Sequence, residues 1–170
     1  MTTQPNLPPF IRLFTLADGA ATQRLTERLA LVLQAPAAYQ AQYAEELAER
    51  GIETALPAQE LRDVALIDGL LSEDLLWESD DQDPLADTAE GLNDILTQQG
   101  RPGRLRVAGG RSASGPELLD AMQDALEPLA LALVLLTLDS DAYPLSLVAD
   151  AEAEELRRLA KELGFTLTVY

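Results

Sequence analysis

The residues best suited to chemistry are acids placed beside apolar segments. Asp139 and Asp141 follow a continuous apolar run, Leu129 to Leu138. A D-x-D pair there sets two carboxylates at the C-terminal end of a strand, where ligands gather in α/β sheets. Such oxygen ligands suit a divalent metal. The simpler reading is a hairpin turn whose aspartates make local hydrogen bonds. Glu78, Asp80, Asp81 and Asp83 form a second acidic group. They lack the glycine and terminal glutamate of an EF-hand loop. Carboxylates also favour the positive end of a helix, and Pro84 is placed to open one. A third group is basic: Arg101, Arg104, Arg106 and Arg111 lie among Gly109, Gly110 and Gly115, ahead of a helix. Free N–H groups at such a helix start bind anions, so Arg104, Arg106 and Arg111 are anion-binding candidates. The spacing is not that of a nucleotide loop, and neutralisation of the acidic segment before it is the simpler reading. Asp68 stands inside an apolar helical run and reads as a local cap or pair, or as a buried functional carboxylate.

The missing residue types narrow the chemistry further. The chain has no Cys and no His. Disulfides, thiolate zinc sites and Cys nucleophiles are excluded, and so is a Ser-His-Asp triad. Catalysis would have to run on carboxylates, hydroxyls, arginine or Lys161, the one lysine. No catalytic set is assigned, and no cofactor is expected. A phosphatase using an aspartate nucleophile needs motifs downstream, yet only 29 residues follow Asp141. A sugar-nucleotide transferase needs an upstream βαβ half, and residues 1–127 read as mainly helical.

Net charge is −17 in 170 residues. Phosphate binding draws on clustered Lys and Arg, so nucleic acid is not an expected partner. An acidic chain attracts cations or basic partners. The charge is uneven: residues 58–100 hold twelve acids and one base, and residues 101–116 hold four arginines and no acid. The densest acidic stretch, Glu73 to Asp94, also holds Trp77, the only tryptophan. Trp77, Glu78, Asp80, Asp81 and Asp83 are therefore the partner-binding candidates. The plainer account makes Trp77 a core residue.

These groups need elements to hold them. Pro8 and Pro9 open a helix carrying Phe10, Ile11 and Phe14, after frayed residues 1–7. Leu25, Leu29, Val32 and Leu33 mark a helix over 22–34, and Tyr39, Tyr43 and Leu47 mark another over 37–50. A helix from Pro57 is apolar round most of its circumference and ends or bends at Gly69. Leu75 to Trp77 reads as a short strand. Leu85, Ala89, Leu92 and Leu96 mark the next helix, and 100–115 reads as loop or marginal strand. Ser114 to Glu117 is a capping box opening a helix to about Leu126. The run 129–138 reads as a buried central strand, 143–148 as its hairpin partner, 151–163 as a helix and 165–170 as an edge strand.

Leu133 to Val148, with the helix closing at Leu159-Ala-Lys-Glu-Leu-Gly164, resembles an uncharacterised bacterial domain-of-unknown-function family. Ala65 to Leu70 and Leu76-Trp-Glu78 carry a weaker echo. The resemblance covers about half the chain and implies a bacterial cytosolic α/β domain. Met1 to Pro9 has neither a basic n-region nor a long apolar one, so no signal peptide is read and cytoplasm is expected. Pro128 to Leu138 is too short for the roughly 20 residues of a membrane span. The expected fold is a single α+β domain over 1–170. Its small, mostly antiparallel sheet (β-hairpin, helix, strand at the C-terminus) is covered by N-terminal helices. The leading functional expectation is a non-enzymatic acidic binding or regulatory module for a basic protein partner. The alternatives are a metal-dependent carboxylate enzyme using Asp139 and Asp141, and a structural homo-oligomer.

Overall fold

Helical periodicity sets out the first half of the chain. The computed structural model describes residues 5–80, 84–107, 116–136 and 142–170. Helix α1 (Leu7–Thr15) carries its two prolines in the first turn, where no intrahelical N–H is required. Leu7 is buried and Asn6 donates to Glu162, so the expected fraying does not extend to residues 6 and 7. Asp18 caps α2 (Gly19–Gln34) through Ala21 N, three residues earlier than the apolar repeat suggests. The helix expected over 37–50 is two: α3 (Pro36–Gln42) and α4 (Ala44–Glu49). Tyr43 leaves helical geometry between them, and its ring stacks on Tyr39 with centroids 4.4 Å apart.

Helix α5 (Ala58–Ser72) runs straight through Gly69. That glycine is a contact point and not a terminator, because Leu25 and Arg28 pack where its Cβ would be. Asp74, at φ 59°, turns the chain after α5. Strand β1 (Trp77–Asp80) begins at the last residue of the apolar trio expected to form it. Leu75 and Leu76 precede it as core residues. Helices α6 (Leu85–Gln98) and α7 (Pro116–Leu126) follow, joined in part by an irregular segment over 101–107.

The C-terminal unit is the one expected, a hairpin, a helix and a strand. Strand β2 (Leu131–Leu136) pairs antiparallel with β3 (Ala142–Ala149), Leu131 opposite Ala149. Helix α8 (Ala153–Leu163) ends at Gly164, left-handed at φ 86°. Strand β4 (Leu167–Val169) closes the sheet at its edge beside β2, and β1 takes the other edge beside β3. The order is β1-β3-β2-β4, antiparallel throughout. Eight α-helices and this sheet, among the described residues, make an α+β fold.

Strand β2 is a continuous apolar run because both its faces are covered. Ala132, Val134 and Leu136 join a core with side chains of α1, α2, α5 and α8. Leu131 and Leu133 join a second core with α6 and α7. Each fully buried leucine contributes about 1.5–3 kcal/mol of transfer free energy. Where β4 leaves β2 uncovered, the Gln123 side chain substitutes for a strand: Leu133 N donates to its Oε1 at 2.8 Å. No helix among the described residues is long and apolar enough to cross a membrane.

Candidate functional site

The helix break at Tyr43 and the turn at Arg50 bring polar groups into one junction between α2, α3, α4, α5 and β1. Arg28 is buried, and its Nε donates to Tyr39 Oη at 3.1 Å. Its Nη2 meets Glu46 Oε2 at 2.8 Å, and its guanidinium lies 4.2 Å from the Tyr43 ring centroid. Stacking on an aromatic face suits a desolvated arginine. Burial pushes the Tyr39 hydroxyl up to about 12, against the pull of Arg28.

A second arginine completes the junction. Arg50 follows α4, and its Nε and Nη2 both reach Asp68 Oδ1, at 2.6 and 2.5 Å. Its Nη2 also holds Glu78 Oε1 at 2.6 Å. One guanidinium thus ties α4 to α5 and to strand β1. The side chain of Asp68 is 9% exposed, and its Oδ2 is buried without a partner. Burial raises the Asp68 carboxyl above its ordinary range, and Arg50 pulls the other way. Asp68 is therefore a buried, long-range partner, not the local cap or pair expected. Beside the junction lies a cleft of about 420 Å³, lined in part by Arg24, Arg28, Tyr43 and Glu73. Arg24 and Glu73 in its wall are already paired through two bonds of 2.8 and 2.6 Å.

The residues singled out in the sequence are dispersed. Glu78 faces Arg50 and Asp80 is exposed at the end of β1. Trp77 is half-buried, its indole pressed against Gly91 of α6. Arg104 and Arg106 are exposed on the irregular segment before α7, and among the described residues neither forms an ion pair. Asp81, Asp83, Arg111, Asp139 and Asp141 lie outside the described residues. Among the described residues no group of three acids is placed to hold a metal ion.

The family is decided by the length of the match. A protein-family model described as domain of unknown function DUF6630 matches residues 9–170. The chain belongs to this family. The resemblance read in the C-terminal third thus extends through the DUF6630 helical half, Arg28, Arg50 and Asp68 included. No curated protein and no solved structure matches the chain.

The larger electrostatic feature of this DUF6630 domain is a division between its two layers. All seven ion pairs among the described residues lie outside α6 and α7. Helix α6 exposes Asp87, Glu90 and Asp94 at positions i, i+3 and i+7. Glu117, Asp120 and Asp124 do the same along α7, and Glu127 follows just past its end. Their apolar faces are committed to the second core, so both acidic stripes face solvent. Periodicity placed these stripes within reach of the sequence, but attention to local charge density favoured 78–83 instead. Uncompensated like charge destabilises the compact state, and salt screens it within about 8–10 Å. The melting temperature is accordingly expected to rise between low and moderate NaCl. A flat or falling curve would refute that account.

Proposed function

We propose that the protein is a non-enzymatic acidic module whose α6–α7 layer receives a basic protein partner. The observation that carries this reading is the charge asymmetry between the layers. Arginines are spent on acids around α2, α4, α5 and α8, while seven exposed acids on and beside α6 and α7 have no ion pair among the described residues. Charge of one sign on a rigid helical face steers a partner of opposite sign and selects against the wrong one. Trp77 and Asp80 flank this layer on β1, and Trp77 is its aromatic neighbour through Gly91. The absence of His and Cys from the chain favours binding over catalysis.

The test is capture at low salt with identification of what is held. The wild-type protein is expected to retain a lysine- and arginine-rich protein and to lose it steeply as NaCl rises. Asp87→Lys with Glu90→Lys and Asp94→Lys is expected to abolish that capture with the fold intact by circular dichroism. Glu154→Lys with Glu155→Lys, on α8, is the control and is expected to retain it. Equal capture by both reversed proteins, or no specific capture by the wild type, would overturn the proposal.

A further inference from the structure

A guanidinium is left short of partners where α6 ends. Gly100, left-handed at φ 73°, turns the chain, and Arg101 N caps Leu96 O at 2.9 Å. The Arg101 side chain folds back so that Nε donates to Gln99 Oε1 at 2.6 Å. Gln99 is buried and fixed in turn, its Nε2 donating to Phe14 O at 3.1 Å and Leu147 O at 3.0 Å. Arg101 Nη2 is buried and donates to nothing. Arg28 and Arg50, also drawn into the fold, each hold a carboxylate. Arg101 holds none among the described residues, and burial shifts its guanidinium below the usual arginine range. The end of α6 supplies it with no hydrogen bond either. The carbonyls of Ile95, Leu96 and Thr97 are already taken by the N–H groups of Gln99, Arg101 and Gly100. Two more cations stand on the same segment. Arg104 and Arg106 are exposed on either side of Leu105, whose N–H and C=O are both held by Asn93.

A buried charged donor without an acceptor is costly, and arginine does not escape by losing its proton. We propose that Arg101 anchors a site for a small oxyanion, a phosphate or carboxylate group bound end-on across Nη1 and Nη2. Arg104 and Arg106 supply the positive field that draws the anion in. End-on binding satisfies the orphan N–H through a charge-assisted pair and leaves Nε on Gln99. Arg101 as a residue is half-buried while Nη2 itself is closed off, so the arriving anion must draw the guanidinium slightly outward to reach it. This site is separate from the acidic stripes and does not depend on the basic-partner reading.

The experiment is thermal melting in sodium phosphate, acetate and chloride at matched ionic strength. Phosphate or acetate is expected to raise the wild-type melting temperature over chloride along a saturating curve, as specific binding requires. Which of the two does so distinguishes a phosphoryl from a carboxylate ligand. Arg101→Met is expected to melt at or above wild type in chloride, because the unpaired charge is gone, and to lose the saturable gain. Arg104→Ala with Arg106→Ala is expected to keep the gain at higher anion concentration. If Arg101→Met does not fold, Arg101→Lys keeps the charge without the planar fork and is expected to lose the gain as well. A rise that never saturates, or one that Arg101→Met retains, is general salt stabilisation and overturns the proposal. So does an identical melting temperature in all three salts.

Discussion

Replacing Arg50 with Met is expected to destabilise the fold by about 3–5 kcal/mol, the range for breaking a buried pair from one side. Methionine keeps much of the aliphatic volume, so the loss reports charge more than packing. What it leaves behind is the cause. Asp68 loses both bonds to Oδ1, its Oδ2 already has no partner, and Glu78 loses its hold as well. The side chains of Asp68 and Glu78 are 9% and 29% exposed, so water offers the first almost nothing and the second partial relief. Urea unfolding followed by circular dichroism measures the loss. Arg158 also contacts two acids, Glu155 and Glu162, but on the open surface of α8. Exposed pairs contribute little, so Arg158→Ala is expected to leave the urea midpoint unchanged. Equal effects of the two substitutions would refute the assignment of Arg50 as the fastener of the junction.

The same substitution carries a pH signature. Burial raises the Asp68 carboxyl in the folded state. A carboxyl so raised binds its proton more tightly folded than unfolded. Its contribution to stability is therefore full below the unfolded carboxyl range and is lost as pH climbs through the folded value. Arg50 opposes that rise, so Arg50→Met moves the folded value higher and widens the window. The defect in Arg50→Met is expected to shrink as pH falls from 8 toward 5, because a protonated Asp68 needs no counter-charge. A defect that grows on acidification would mean that Asp68 stays ionised and finds another partner.

These two arginines also show where reading the chain stops. The sheet was legible because its signal is local. Eight apolar residues in a row, 129–136, call for burial on both faces, and Leu131 and Ala132 do enter opposite cores. Leu156, Leu159 and Leu163 mark the inward side of α8 within a single helix. Arg50 and Asp68 are 18 residues apart, and nothing in either neighbourhood names the other. Glu78 was legible as an acid but not as an inward-facing one, since charge density does not report direction. The turn at Gly100 was visible as a glycine after a periodic run, yet the buried Gln99 and half-shut Arg101 beside it depend on Phe14 and Leu147 from distant elements. Tyr39 and Tyr43 were recognisable as a pair on one face, but Arg28 above them comes from another helix.

A methyl group tests the contact between β1 and α6 most sharply. In the interior of a helix, glycine to alanine ordinarily stabilises by about 0.5–1 kcal/mol. Gly91→Ala is expected to do the opposite, by about 1–3 kcal/mol or more, the range for overpacking. An added Cβ at Gly91 would sit inside the Trp77 indole, against Cγ, Cδ2 and Cε3. A ring cannot bend out of the way as a leucine methyl can. Trp77 is also paired through its backbone with Leu145 of β3, so moving it disturbs the sheet edge. Gly69→Ala is the internal comparison. There the Cβ meets Leu25 Cδ2 at 2.9 Å and Arg28 Cδ at 3.6 Å, both on side chains with rotatable bonds, so its cost is expected to be smaller. Trp77 is the one tryptophan in the chain, and its emission is expected to shift in Gly91→Ala and hold in Gly69→Ala. Trp77→Leu in the Gly91→Ala background is expected to recover part of the loss, because it removes the ring that the methyl strikes. If Gly91→Ala melts above wild type with unchanged emission, α6 does not lie close on Trp77, and the seat of the acidic α6 stripe against the sheet must be redrawn.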